Sequence, residues 1–219
     1  MLMNMILDNA LKVGLGPALV TLVAALIAWR PWSDTRETAG GLWAGPVGLA
    51  GAFLTGLIMI NGWPEWTPSA SGGWLVHVTL GAAVLGLAES LYRRDNRFFP
   101  TLRIVLLGGG LYLVIQFMFT NYWKTFPVQA AYMAGIVGLA MLSMRTLEKM
   151  ARRHPGATMP LVLHIMAAGA ALVITFAHSA STGQQLGTLA TATAVFVAVS
   201  WWKGAGRLSL ARGGVTVFV

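Results

Sequence analysis

The sequence predicts an all-α protein, a polytopic transmembrane helix bundle of about seven spans with its N-terminus outside and its C-terminus cytoplasmic. Three observations predict it. First, 56% of the 219 residues are hydrophobic and only 10% are charged, with a mean hydropathy of +0.68. A soluble domain carries about 25% charged residues, and a chain this small has no interior in which to hide so much apolar surface. Second, apolar runs recur at the ~20 residues a helix needs to cross a hydrocarbon core of about 30 Å. Third, the basic residues concentrate in alternate connections.

The elements follow in order. The opening MLMNMILDNALK lacks the positive n-region of a secretory signal and is expected to be retained as a short amphipathic lead-in. Spans are expected at about 12–29, 44–61, 74–91, 102–121, 128–147, 159–178 and 184–202. They form one transmembrane domain over 1–203. Connections are short, so neighbouring helices should run antiparallel. Pro17, Pro46 and Pro160 fall near span starts, where proline is tolerated. Residues 204–219 read as a tail, with the bare apolar run RGGVTVFV as a short buried strand or the start of a truncated eighth span.

Arg30, Arg36, Arg93, Arg94, Arg97, Arg103, Arg145, Lys149, Arg152, Arg153, Lys203, Arg207 and Arg212 fall on one side, and only Lys12 and Lys124 on the other. By the positive-inside rule the first side is cytoplasmic. Trp63, Trp66, Trp74 and Trp123 then mark outer span ends, and Trp29, Trp32, Trp43, Trp201 and Trp202 inner ones, as an aromatic belt does. GWPEWTP at 62–68 reads as an interfacial anchor. The formal charge of +8 records this orientation and contact with anionic lipid at the cytoplasmic face, not nucleic-acid binding. The expected location is a bacterial cytoplasmic (inner) membrane.

Small residues in spans allow close helix approach where hydrophobic driving force is absent. They line span 2 (Gly45, Gly48, Ala52, Gly56), span 5 (Ala131, Gly135, Gly138) and span 7 (Ala190, Ala194, Ala198). Bundle packing explains them. A face for partner membrane subunits or a homo-oligomer would lie on span 7. A parallel 3+1+3 repeat, as in some transporters, has only thin support in the sequence, and span 7 lacks the mid-span lysine of a retinal protein.

The absence of cysteine excludes disulfides, thiolate catalysis, iron–sulfur clusters and cysteine zinc sites. Glu89 lies four residues before Arg93, an interfacial i,i+4 pair. The middle of the membrane otherwise has no charge, against a proton-coupled pump or intramembrane hydrolysis. No enzyme, catalytic residue or metal site is expected. The remaining polarity gathers outside, as a candidate cup of His77, Tyr112, Gln116, Asn121, His178 and Gln184, with Asn61, Thr120 and Gln185 on the same side. Gly108–Gly110 suggest a bend or break in span 4.

His164 and His178 sit 14 residues apart, about 40° from the same face and ~21 Å apart along the axis. A di-haem arrangement needs a second such helix, which the chain lacks. No cofactor is expected. A haem or other tetrapyrrole on His77 and His178, or on His164, is the lesser alternative. The leading expectation is a non-catalytic structural or assembly subunit of a larger membrane complex. The alternatives are a small neutral-solute transporter or channel with an outward-facing polar cup, and a haem- or pigment-binding protein.

Overall fold

The computed structural model describes residues 7–29, 39–68, 71–92, 98–154, 156–177, 179–202 and 210–219. Helix dominates, and among these residues there is no strand. A π-helical turn, Ala10–Leu15, runs into α1 (Gly16–Trp29). Then follow α2 (Ala39–Asn61), a 3-10 turn (Ser71–Gly73), α3 (Trp74–Leu91), α4 (Phe98–Asn121), α5 (Phe126–Arg153), α6 (Thr158–Phe176), α7 (Ala180–Trp202) and α8 (Gly213–Phe218). Seven helices are long and apolar enough to cross a membrane.

Helices α2 and α7 sit at the centre. α1 packs along α2 and α7, α6 lies along α7, and α3 closes on α2. α4 leans on α3, and α5 makes its main contacts with α4 and, more sparsely, with α8. Small residues set these approaches. A Cβ on Gly48 would stand 2.8 Å from the Phe196 ring, and one on Gly51 would stand 2.8 Å from Val20. One on Gly56 would collide with Thr188. Ala52 is fully buried. The small face of span 2 is therefore internal packing. On α7, Ala190 is buried and Ala198 exposed, so that row does not form a single open face. The open small-residue face is on α5 instead, where Ala131, Gly135 and Gly138 are exposed.

One proline departs from expectation. α2 begins at Ala39, so Pro46 lies inside the helix and not at its start. Pro17 has no N–H for the Val13 carbonyl, and the ladder is rerouted there. The Thr191 hydroxyl of α7 donates to Val13 O at 3.0 Å, beside the π-helical turn. A neighbouring threonine thus satisfies a carbonyl that lipid could not.

The C-terminal stretch is neither a strand nor an exposed tail. Residues 213–218 form a short helix between α2 and α3, with Val215 and Thr216 almost fully buried. Its two glycines make this possible. Gly214 lies against Gly45, and a Cβ on Gly213 would collide with the Gly86 backbone. α4 is one continuous helix through Gly108–Gly110, so the expected break is absent. Gly110 instead receives Val78 of α3.

Candidate functional site: two adjoining cavities and a buried ion network

At one end of the bundle, α3, α4, α5 and α8 meet on charge. Glu89 of α3 is 3% exposed. Arg103 of α4 grips it bidentately, with Nε donating to Oε1 at 2.6 Å and Nη2 to Oε2 at 2.8 Å. Nη1 of Arg103 donates to Glu148 of α5 at 3.1 Å, and Arg152 donates to the other Glu148 oxygen at 2.7 Å. The Thr216 hydroxyl of α8 donates to Glu89 Oε2 at 2.6 Å. Two carboxylates and two guanidiniums balance, and planar bidentate pairing is the strong form of such a contact. Desolvated charge is retained only with partners of this kind.

This network gives Glu89 a partner other than the expected Arg93. Arg93 lies outside the described residues, and the partner is Arg103. In the sequence Arg103 counts among the cytoplasmic basic residues at the start of span 4, and Glu148 lies just past the expected end of span 5 at 147. The helices run on, from Phe98 and to Arg153. The usable signal was Glu89 itself, an acid inside an apolar span.

Beside the network lies a cavity of ≈340 Å³. Its walls come from α2 (Phe53), α3 (Leu75, Val78), α4 (Leu107, Val114), α7 (Leu186, Leu189) and α8 (Phe218), with Arg103 and Thr216 at its inner end. Its polar side chains are Thr79, Arg103 and Thr216, and each already donates to a partner. The walls are thus hydrocarbon in all but name.

At the opposite end a vestibule of ≈710 Å³ opens between the end of α2, the start of α3 and the start of α7. Asn61, Glu65, Ser181, Thr182 and Gln185 give it polarity, and Trp63 and Pro64 form part of its rim. The GWPEWTP stretch, expected to be only an anchor, therefore contributes wall. Leu75 and Val114 line both the vestibule and the apolar cavity, so the two adjoin there.

The residues expected to make a polar cup are dispersed. Tyr112, Gln116 and Asn121 are exposed along α4. The Asn121 amide donates to the Phe117 carbonyl at 2.9 Å. Gln184 donates to Asn9 Oδ1 at 2.9 Å. His77 leans on Trp74 with ring centroids 5.4 Å apart, and its Nδ1 is buried without a hydrogen-bond partner. His178 lies outside the described residues. None of the five described residues lines either cavity. Two other residues expected on the outer polar side, Asn61 and Gln185, do line the vestibule. His164, the third candidate cofactor ligand, donates from Nδ1 to Ala190 O at 2.8 Å, which ties α6 to α7.

Comparison with family models, curated proteins and solved structures finds no match.

Proposed function

We propose that this protein is a membrane carrier or channel for a small uncharged solute. The vestibule admits the solute, and the apolar cavity beyond Leu75 and Val114 receives it. The shared wall carries this reading, since it sets a polar mouth directly beside an apolar cavity at Leu75 and Val114. Among the described residues no catalytic constellation accompanies the cavities, and Arg103 beside the inner one is neutralised by Glu89 and Glu148. The vestibule end faces outward and the arginine-bearing end faces the cytoplasm, as the distribution of basic residues directs.

Flux into proteoliposomes tests the proposal. Wild-type protein should accelerate entry of at least one solute in a panel of short uncharged amides and alcohols, and Val114→Trp, which fills the common wall, should abolish it. Rates equal to those of empty liposomes across the panel would sink the reading.

A second reading, a structural subunit of a larger complex, is favoured by α5. Its first half presents Tyr132, Ile136 and Leu139 outward alongside the open Gly135 and Gly138. Lipid covers such a face equally well. A stoichiometric partner retained through purification in mild detergent supports it, and a lone monomer counts against it. The haem-binding alternative fails if the purified protein shows no Soret band.

A further inference from the structure

Gln185 is the polar group in the walls that the fold does not use. It is 9% exposed, lines the vestibule, and precedes Leu186, which lines the apolar cavity. Its backbone carbonyl accepts from Thr188, but its side-chain amide makes no hydrogen bond among the described residues. The stem of Gln185 is buried while its unpaired amide opens on the vestibule, where it can meet a ligand. A primary amide offers both donors and an acceptor. The Asn61 amide lines the same vestibule.

Charge narrows the ligand further. Among the described residues Glu65 is the only ionisable one that lines the vestibule, and it already has a partner of its own. Arg103, at the far end of the inner cavity, is held by two glutamates. Neither an anionic nor a cationic head finds an uncommitted counterion. Apart from the engaged Thr79, Arg103 and Thr216 the inner cavity offers hydrocarbon, and ≈340 Å³ holds about ten methylene-sized groups at ~30 Å³ each.

We infer that the two cavities together seat an uncharged single-chain amphiphile. Its head, which both donates and accepts hydrogen bonds, rests on Gln185 and Asn61, and a hydrocarbon body of about ten carbons passes Leu75 and Val114. This rests on the two-cavity reading above and names its substrate class. Its test reads binding and not flux, so either can fail alone.

The experiment is equilibrium binding of radiolabelled decanamide to the protein in nanodiscs. Decanoate, decyltrimethylammonium and the two-chain neutral lipid didecanoylglycerol serve as competitors. Saturable binding is expected, with each charged analogue at least about tenfold weaker than decanamide and no displacement by didecanoylglycerol. Gln185→Leu should weaken decanamide at least about tenfold, because a site built to hydrogen-bond discriminates strongly once the bond is lost. Gln185→Asn, which draws the amide back by one methylene, should give a smaller loss and keep the protein assayable if the leucine variant does not fold. Leu75→Trp should shift preference towards hexanamide, a change of chain-length selectivity that misfolding would not produce. The proposal is overturned by no saturable binding, by charged analogues that compete equally, by displacement with didecanoylglycerol, or by both Gln185 variants binding as wild type does.

Discussion

Glu89 and Arg103 show how much rests on single side chains in this bundle. Each is buried, and each satisfies the other. Replacing Arg103 with methionine would leave Glu89 without its bidentate partner and Glu148 with Arg152, a change worth about 3–5 kcal/mol when a buried pair is broken. Thermal unfolding in micelles should show a large drop in midpoint for Arg103→Met. The double variant Glu89→Gln/Arg103→Met should lose less than the sum of the singles, since the groups belong to one network. Thr191 works at smaller scale. Thr191→Val would strand the Val13 carbonyl above Pro17 and should cost about 0.6–1.7 kcal/mol, the range of interhelical hydrogen bonds in lipid. An equal midpoint for Thr191→Val and wild type would refute that role. At this scale the sequence was only partly legible. Glu89 stood out as an acid in an apolar span, but its partner is 14 residues away across a helix connection. Local i,i+4 logic sees only one helix, and Arg103 stands on the next.

Among the elements, α8 is where sequence and structure part most clearly. RGGVTVFV has the composition of a strand or a spanning segment. It becomes a short helix because tertiary contacts hold it in place: glycines against Gly45 and Gly86, and a hydroxyl on Glu89. Arg212, which precedes it, has φ 63° and ψ −115°, a backbone state that costs a non-glycine residue about 1–3 kcal/mol. Burial of α8 must exceed that strain. Gly213→Leu has no room at Gly86 and should expel the helix. The protein has no cysteine, so Thr216→Cys provides a clean reporter. Maleimide should label Cys at 216 quickly in the Gly213→Leu background and slowly without it. Equal slow labelling in both would show that α8 does not depend on the glycine contact. The extended starts and ends of α4 and α5 were missed for a related reason. Pro100 sits in the first turn of α4, where proline is tolerated, but in sequence it resembles a loop marker.

Over the whole molecule, the prediction that follows from charge is orientation. With impermeant maleimide applied to intact cells, Trp63→Cys at the vestibule end should label, and Lys149→Cys at the arginine-bearing end should label only after lysis. The reverse pattern would invert the topology and turn the vestibule towards the cytoplasm. Composition alone determined that this chain forms apolar helices of spanning length, because lipid is the only solvent in which so little charge and so much hydrocarbon can be accommodated. It also determined their number, since each span must satisfy its own backbone within one helix. Which polar residues meet is a different matter. A helix fixes the face of a residue but not the neighbour that face will have, and Gln184 and Gln185 differ by about 100° of rotation. That rotation decides which one joins Asn9 and which one faces the vestibule. Only the packing of α2, α3, α4 and α7 set it. The same packing brought Leu75 and Val114 together between two cavities and placed Arg103 on Glu89, because close contact among small residues depends on several helices at once.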